Sequence, residues 1–85
     1  MAVEVRITPE ALEDLGELHE PILTRVNAII ERLVNWPDVS GVKPLRGGLK
    51  GFFRVRTGDW RVIFRVRGRV LMITSITNRR NAYEE

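Results

Sequence analysis

The sequence predicts an α+β fold in which two N-terminal helices pack on one face of a small, mostly antiparallel sheet. Three observations support this fold class. A short N-terminal segment alternates apolar and polar residues, two apolar stripes of helical spacing follow it, and after residue 51 the apolar period changes to two. The predicted element order is β-α-α-β-β-β, in one domain that spans residues 1–85.

The N-terminal half is predicted to form one strand and two helices. Residues 3–7 alternate as a half-buried strand does. Thr8 and Pro9 favour a helix start, because a hydroxyl caps the first turn and proline loses no hydrogen bond there. Pro21 begins the second helix, which ends before the segment "NWPD" at Asn35 because the residue before a proline avoids helical angles. The predicted apolar stripes are Ala11, Leu12, Leu15 and Leu18, then Ile22, Val26, Ile29, Ile30 and Leu33, with Glu10, Glu13, Asp14 and Glu17 on the outer side of the first helix.

The C-terminal half is predicted to form a loop and three strands. Residues 39–51 contain four glycines and a proline, which favours a loop. Tight turns at Gly58 and Gly68 then separate the strands, and the last strand is apolar enough to be central. The helices are expected to pack on the apolar sheet face of Phe53, Val55, Val62, Phe64 and Val66. The alternation sends Arg54, Arg56, Arg61 and Arg65 to the opposite face.

Charge is distributed unevenly along the chain. Residues 1–38 contain 3 basic and 8 acidic side chains, whereas residues 39–83 contain 11 basic and 1 acidic. This bias predicts an anion-binding surface, and the alternative is that the arginines are solvated strand edges that keep the protein soluble. Because crowded guanidinium groups repel one another unless a polyanion neutralises them, the expected ligand is a phosphate backbone.

Composition excludes several kinds of site. The chain has no cysteine and one histidine, so neither a disulfide nor a zinc or iron site is expected, and no metal or cofactor is predicted. No apolar run reaches the roughly 18 residues of a membrane span. The N-terminus also lacks the features of a signal peptide, so a cytoplasmic location without membrane association is expected.

Four pieces of the sequence resemble the RelE/ParE toxin superfamily. They are Leu45 to Gly51, Phe52 to Arg56, Gly58 to Phe64 and Asn78 to Tyr83, and the hairpin "GDWRVIF" is the most specific of them. The resemblance implies the toxin of a type II toxin–antitoxin system, held by a cognate antitoxin protein. It also implies a RelE-like microbial RNase fold, with helices on one sheet face and a nucleic-acid groove on the other.

Two activities are known in this superfamily. RelE-like members cleave mRNA in the ribosomal A site, where the 2′-hydroxyl attacks the adjacent phosphate and translation stops. ParE-like members act on DNA gyrase without nuclease chemistry. The arginines and tyrosine after the last strand favour the first activity, a metal-independent endoribonuclease. A gyrase inhibitor and a non-toxic nucleic-acid-binding module are the alternatives.

The resemblance also implies roles for individual residues. By position, the catalytic candidates are Arg54, Arg61, Arg79 and Tyr83. Arg61 and Arg79 would stabilise charge in the transition state, and Tyr83 would stack on a base or exchange a proton. Further RNA-binding candidates are Arg46, Lys50, Arg56, Arg65 and Arg80.

Two departures from the RelE-like pattern affect proton transfer. Phe52 and Arg54 stand where better-known RelE-like sequences have two lysines, and arginine effectively never loses its proton. Lys50 or Tyr83 would therefore have to act as the base. Asn78 stands where histidine is usual, which removes a possible general acid, so slow catalysis that depends on positioning by the ribosome is expected.

Overall fold

The computed structural model of the chain describes residues 3–78. Their order is β1 (Glu4–Ile7), α1 (Pro9–Gly16), α2 (Ile22–Arg32), β2 (Val42–Pro44), β3 (Phe52–Thr57), β4 (Trp60–Arg67) and β5 (Val70–Asn78). The sheet order is β1-β5-β4-β3-β2, and only the β1–β5 pair in it is parallel. The predicted α+β class with a mostly antiparallel sheet is thus confirmed.

Both helices pack on one face of the sheet, as predicted. α1 packs mainly against β5, whereas α2 packs against β3 and β4. The side chains with the least exposure come from helices and strands alike, and they include Ala11, Val26, Leu33, Val55, Val62, Phe64, Leu71 and Ile73. Neither helix in residues 3–78 has the length and apolar character needed to cross a membrane.

The start of α1 follows the predicted cap. The backbone N–H of Ala11 donates to Oγ1 of Thr8 at 3.1 Å, and Pro9 is the first residue of the helix. The Thr8 hydroxyl also donates to the carbonyl oxygen of Thr74 in β5, at 3.3 Å. The capping residue therefore both begins the helix and connects it to the sheet.

The predicted loop over residues 39–51 is wrong in part, because it contains β2. This strand pairs antiparallel with β3, with Val42 opposite Val55 and Lys43 opposite Arg54. Three residues are too few to show a period of two, and proline is tolerated at Pro44 because β2 is an edge strand. The observed order is therefore β-α-α-β-β-β-β, with one strand more than predicted.

Three expectations for α1 are corrected by the structure. Leu12 is 58% exposed and does not belong to the buried stripe. Asp14 does not lie on the outer side, since its Oδ2 accepts a hydrogen bond of 3.1 Å from the backbone N–H of Ile76 in β5. The helix ends at Gly16, so Leu18 is buried from the link that follows it. Two helical turns present too narrow a face to bury the whole predicted stripe.

β5 contains one residue more than the segment of β4 opposite it. Ile63 pairs with Ser75, whereas the next residue of β4 pairs with Ile73, so Thr74 is the extra residue of a β-bulge. The Thr74 hydroxyl donates to the carbonyl oxygen of Ile63 at 3.3 Å. Because the bulge shifts the alternation of β5 by one residue, both Ile73 and Ile76 face the core.

Candidate nucleic-acid interface

The sheet face opposite the helices, called the open face below, carries the predicted strand arginines. Val55, Val62 and Phe64 are buried against the helices, so their neighbours in β3 and β4 point the other way. The open face comprises Glu4 and Arg6 in β1, Lys43 in β2, Phe52, Arg54 and Arg56 in β3, Arg61, Ile63, Arg65 and Arg67 in β4, and Val70, Met72, Ser75 and Thr77 in β5.

The strand register arranges these residues in four rows that run across the sheet. The rows are Arg56, Arg61 and Thr77; Lys43, Arg54, Ile63 and Ser75; Phe52, Arg65, Met72 and Arg6; and Arg67, Val70 and Glu4. Adjacent strands lie about 4.8 Å apart and adjacent rows about 6.8 Å apart. The four predicted arginines of β3 and β4 therefore lie within one patch, about 14 Å long.

Two of these arginines are direct neighbours. Arg56 and Arg61 are paired across the β3–β4 hairpin, which brings directly opposite Cβ atoms to about 5 Å. Arg61 is half-buried, whereas Arg56 is exposed. Partial burial strengthens the attraction of a cation for an anion, because the effective dielectric constant there is lower than in water. Arg61 is therefore well placed to bind a phosphate oxygen.

Glu4 is the one carboxylate on the open face within residues 3–78, and it is paired with Arg6. The Nε of Arg6 donates to the Glu4 carboxylate. This hydrogen bond lowers the pKa of Glu4 and raises the pKa of Arg6. The pair lies on the edge strand β1, and β5 separates it from the arginines of β4.

An aromatic ring lies among the cations of the open face. Phe52 and Arg65 are direct cross-strand partners, and the guanidinium carbon of Arg65 lies 5.8 Å from the centroid of the Phe52 ring. This distance is within the range of a cation–π interaction. Both side chains are half-buried.

The remaining predicted site residues are not on the open-face strands. Arg46 and Lys50 are exposed in the connection between β2 and β3, on either side of a 3₁₀ turn at Gly47–Leu49. Arg79, Arg80 and Tyr83 lie outside the described residues, and their roles stay predictions.

Sequence reasoning missed three cations of the open face. Arg67 lies opposite Val70 at the end of β4. Lys43 lies opposite Arg54, but its strand was too short to recognise from the apolar period. Arg6 lies opposite Met72 at the far end of the third row. The alternation of residues 3–7 predicts that Arg6 lies on the polar face of β1, although nothing in the sequence shows that β1 joins the same sheet beside β5.

A cleft on the helix side of the sheet has the opposite electrostatic character. It has a volume of about 220 Å³ and is lined by Asp14, Glu17, Trp60, Ile76, Thr77 and Asn78. Its two carboxylates would repel phosphate, so the cleft is not part of the candidate interface. Within residues 3–78, no group of three or more histidine, aspartate or glutamate side chains is arranged to hold a metal ion.

The sequence matches a known protein family over most of its length. Residues 5–83 match the family described as the ParE toxin of type II toxin–antitoxin systems, parDE. The chain belongs to the RelE/ParE toxin superfamily. This RelE/ParE protein is therefore the toxin of a type II toxin–antitoxin system, as the resemblance of its hairpin implied.

Solved structures share the architecture of this RelE/ParE toxin. The RelBE2 toxin–antitoxin complex of Mycobacterium tuberculosis contains a chain 30% identical, with a TM-score of 0.80 over 93% of this chain and 100% of that one. The archaeal RelE–RelB complex of Pyrococcus horikoshii OT3 contains a chain 27% identical, with a TM-score of 0.77 over 96% and 100%. The isolated E. coli RelE toxin is 15% identical, with a TM-score of 0.76 over 91% and 84%, a level of identity that shows the fold alone. No curated protein matches the sequence significantly.

Proposed function

We propose that this RelE/ParE toxin is a ribosome-dependent mRNA endoribonuclease that cleaves in the A site and thereby inhibits translation. The observation that carries the proposal is the convergence of Arg54, Arg56, Arg61 and Arg65 on the open face. A surface of this kind favours a polyanion as ligand, and an extended single strand presents both phosphates and bases to a sheet. A ribosomal target implies action in the cytoplasm.

The proposed reaction is an intramolecular displacement at phosphorus. The 2′-oxygen attacks the adjacent phosphorus, and its proton passes to a general base. The bond from phosphorus to the 5′-oxygen breaks, and that oxygen takes a proton from a general acid. A cyclic phosphate and a 5′-hydroxyl result. Because negative charge on the phosphate oxygens increases in the transition state, preorganised donors there are the main contribution the protein can make.

Arg61 is the best-supported residue for this contribution. Its guanidinium is half-buried beside Arg56, and arginine binds phosphate oxygens through a planar fork of donors that stays charged at any working pH. Arg79 is proposed as the second transition-state arginine, with Arg54 orienting the phosphate. Tyr83 is proposed to stack on a base or exchange a proton, and either Lys50 or Tyr83 to act as the base.

The deciding experiment compares two arginine variants on ribosomes programmed with defined mRNA. Arg61→Gln removes a charge from the open face, and Arg25→Gln removes the same charge from an exposed position of α2. We expect A-site cleavage, mapped by primer extension, from the unmodified protein and from Arg25→Gln. Cleavage by Arg61→Gln should fall about 100-fold or more, the usual cost of a lost transition-state donor. Message left intact by the unmodified protein would contradict the proposal.

A cognate antitoxin is the second proposed partner. The M. tuberculosis and P. horikoshii structures similar to this chain are complexes with antitoxins. With 11 basic and 1 acidic side chains, residues 39–83 would attract an acidic, disordered segment that folds on binding. Co-expression with a protein encoded by an adjacent small gene should restore the growth of cells that express the toxin. Copurification of the two chains would measure the contact directly.

A gyrase-directed activity is the second candidate. The matched family is described as the ParE toxin, and Phe52 stands on β3 where RelE-like sequences have a lysine. On this alternative, purified protein should inhibit supercoiling by gyrase and induce DNA damage in cells, while in vitro translation continues. Translation arrest with unaffected gyrase would exclude it.

A further inference from the structure

We infer that Phe52 is a base-stacking residue, which receives the base of a nucleotide whose phosphate is bound by the neighbouring arginines of the open face. The inference rests on the proposed RNA-binding function and deepens it by assigning a nucleotide subsite. The subsite consists of the Phe52 ring with the Arg65 guanidinium over one of its faces, so that a base would stack on the other face.

The position of Phe52 differs from that of every other aromatic residue in residues 3–78. Trp36, Phe53 and Phe64 contact one another in the core, with ring centroids 4.9 to 5.6 Å apart. Trp60 packs against the same core. Phe52 points to the opposite face, where an apolar ring gains nothing from the helices. Single-stranded nucleic acid is commonly held on such rings, because every base has an aromatic face.

Arg65 limits the freedom of the Phe52 ring. The two side chains are cross-strand partners with the guanidinium carbon 5.8 Å from the ring centroid. A cation at this distance is attracted to the ring, which reduces the number of conformations the ring must lose when a base stacks on it. Arg65 therefore positions the Phe52 ring, and it also contributes a positive charge to the open face.

The spacing along β3 matches the dimensions of a nucleotide. Phe52 and Arg54 are two residues apart in the strand and point to the same face, so their Cα atoms are about 6.8 Å apart. A phosphate on Arg54 and Arg61 therefore leaves its nucleotide's base within reach of the Phe52 ring. Because purines have the larger stacking surface, this subsite should prefer a purine, with the modest selectivity that stacking provides.

A double-mutant cycle between the protein and the RNA tests this inference. The probe is a short oligouridine with 2′-O-methyl groups, which cannot be cleaved, carrying one adenosine or one abasic nucleotide at each position in turn. Binding is measured with the unmodified protein, with Phe52→Leu and with Phe53→Leu. The last variant makes the same substitution on the opposite face of the same strand and controls for loss of stability.

We expect one position at which the unmodified protein binds adenosine about fivefold more tightly than the abasic nucleotide. Phe53→Leu should retain that ratio, and Phe52→Leu should reduce it to about one. Arg65→Lys should retain the ratio because a cation remains beside the ring, whereas Arg65→Gln should reduce it. Loss of a phosphate contact alone would weaken the binding of the adenosine and abasic oligonucleotides equally and leave the ratio of their affinities unchanged.

The remaining outcomes separate this inference from the function on which it rests. If Arg61→Gln weakens binding but Phe52→Leu changes the ratio at no position, the stacking subsite is refuted and the RNA interface stands. If Arg61→Gln leaves the affinity unchanged as well, the open face does not bind RNA, and both proposals fail.

Discussion

Arg56 and Arg61 face each other as direct partners across the β3–β4 hairpin, and Arg54 lies on the same strand face two residues from Arg56. Like charges placed opposite each other in a sheet are destabilising. This arrangement is therefore unfavourable for folding and favourable for binding a polyanion, which relieves the repulsion. Removal of one of these charges should therefore change the stability of the fold and the affinity for RNA in opposite directions.

Removing one charge of the pair should stabilise the fold and weaken RNA binding. We expect Arg56→Gln to raise the free energy of unfolding by about 0.2–1 kcal/mol at low salt, the range for cross-strand pairs. Urea denaturation measures the gain, and it should shrink at 1 M salt because exposed charges are then screened. An equal or lower stability of the variant at low salt would contradict this account of the pair.

The salt dependence of RNA binding should report the number of cations in contact. Each phosphate contact contributes about 0.7 to the slope of log affinity against log salt concentration for a single strand. Arg54→Gln should reduce the slope by about this amount, whereas Arg25→Gln on α2 should leave it unchanged. Equal slopes for all three proteins would mean that Arg54 contacts no phosphate.

The ion pair with Glu4 should weaken the contribution of Arg6 to RNA binding. The hydrogen bond from Arg6 lowers the pKa of Glu4, so the carboxylate stays ionised and paired to a lower pH than an isolated glutamate would. Any stability from the pair is present above the unfolded pKa of Glu4 and is lost as pH falls through the lower, folded pKa. We expect Glu4→Gln to free Arg6 and to increase both the RNA affinity and the salt slope at pH 7. No increase would indicate that the RNA does not reach β1.

Two leucines provide a matched test of the core. Leu33 is 0% exposed, whereas Leu12 is 58% exposed. Leu33→Ala should lower the free energy of unfolding by about 2–5 kcal/mol, because it leaves a cavity. Leu12→Ala should change that free energy by no more than about 0.5 kcal/mol. Comparable losses in urea denaturation would show that Leu12 is buried in solution.

The cap of α1 should contribute measurably to stability. Thr8→Ala removes the acceptor for the Ala11 N–H and the donor to the Thr74 carbonyl, and should cost about 1–2 kcal/mol. Thr8→Ser retains the hydroxyl and should recover most of that loss. A loss that serine does not recover would assign the effect to the threonine methyl group and not to the cap.

Local patterns predicted the parts of the fold that depend on local chemistry. The cap at Thr8, the turns at Gly58 and Gly68 and the alternation through β3 and β4 all follow from neighbouring residues, and they suffice to send four arginines to one face. The errors involve long-range contacts. The bond from Ile76 to Asp14 joins residues 62 apart in the chain, and no helical pattern reveals that this carboxylate turns inward.

The candidate site likewise depends on long-range contacts that local sequence patterns do not reveal. The pairing of Lys43 with Arg54 depends on a three-residue edge strand, and the position of Arg6 depends on the parallel contact of β1 with β5. In the sequence, Phe52 stands out only as a departure from the RelE-like pattern. Its location beside Arg65 becomes evident once the register of the two strands is known.

The single extra residue at Thr74 has a consequence for how this protein can vary. Strict alternation through Thr74 would turn Ile76 out among the arginines and Thr77 in towards the helices, whereas deletion of Thr74 itself would leave both residues facing as they do now. An insertion of one residue between Ser75 and Asn78 would reverse the facing of the residues after it, so this segment should tolerate replacement of its side chains far better than a lengthening. A selection for functional variants should recover many substitutions there, but few insertions of one residue.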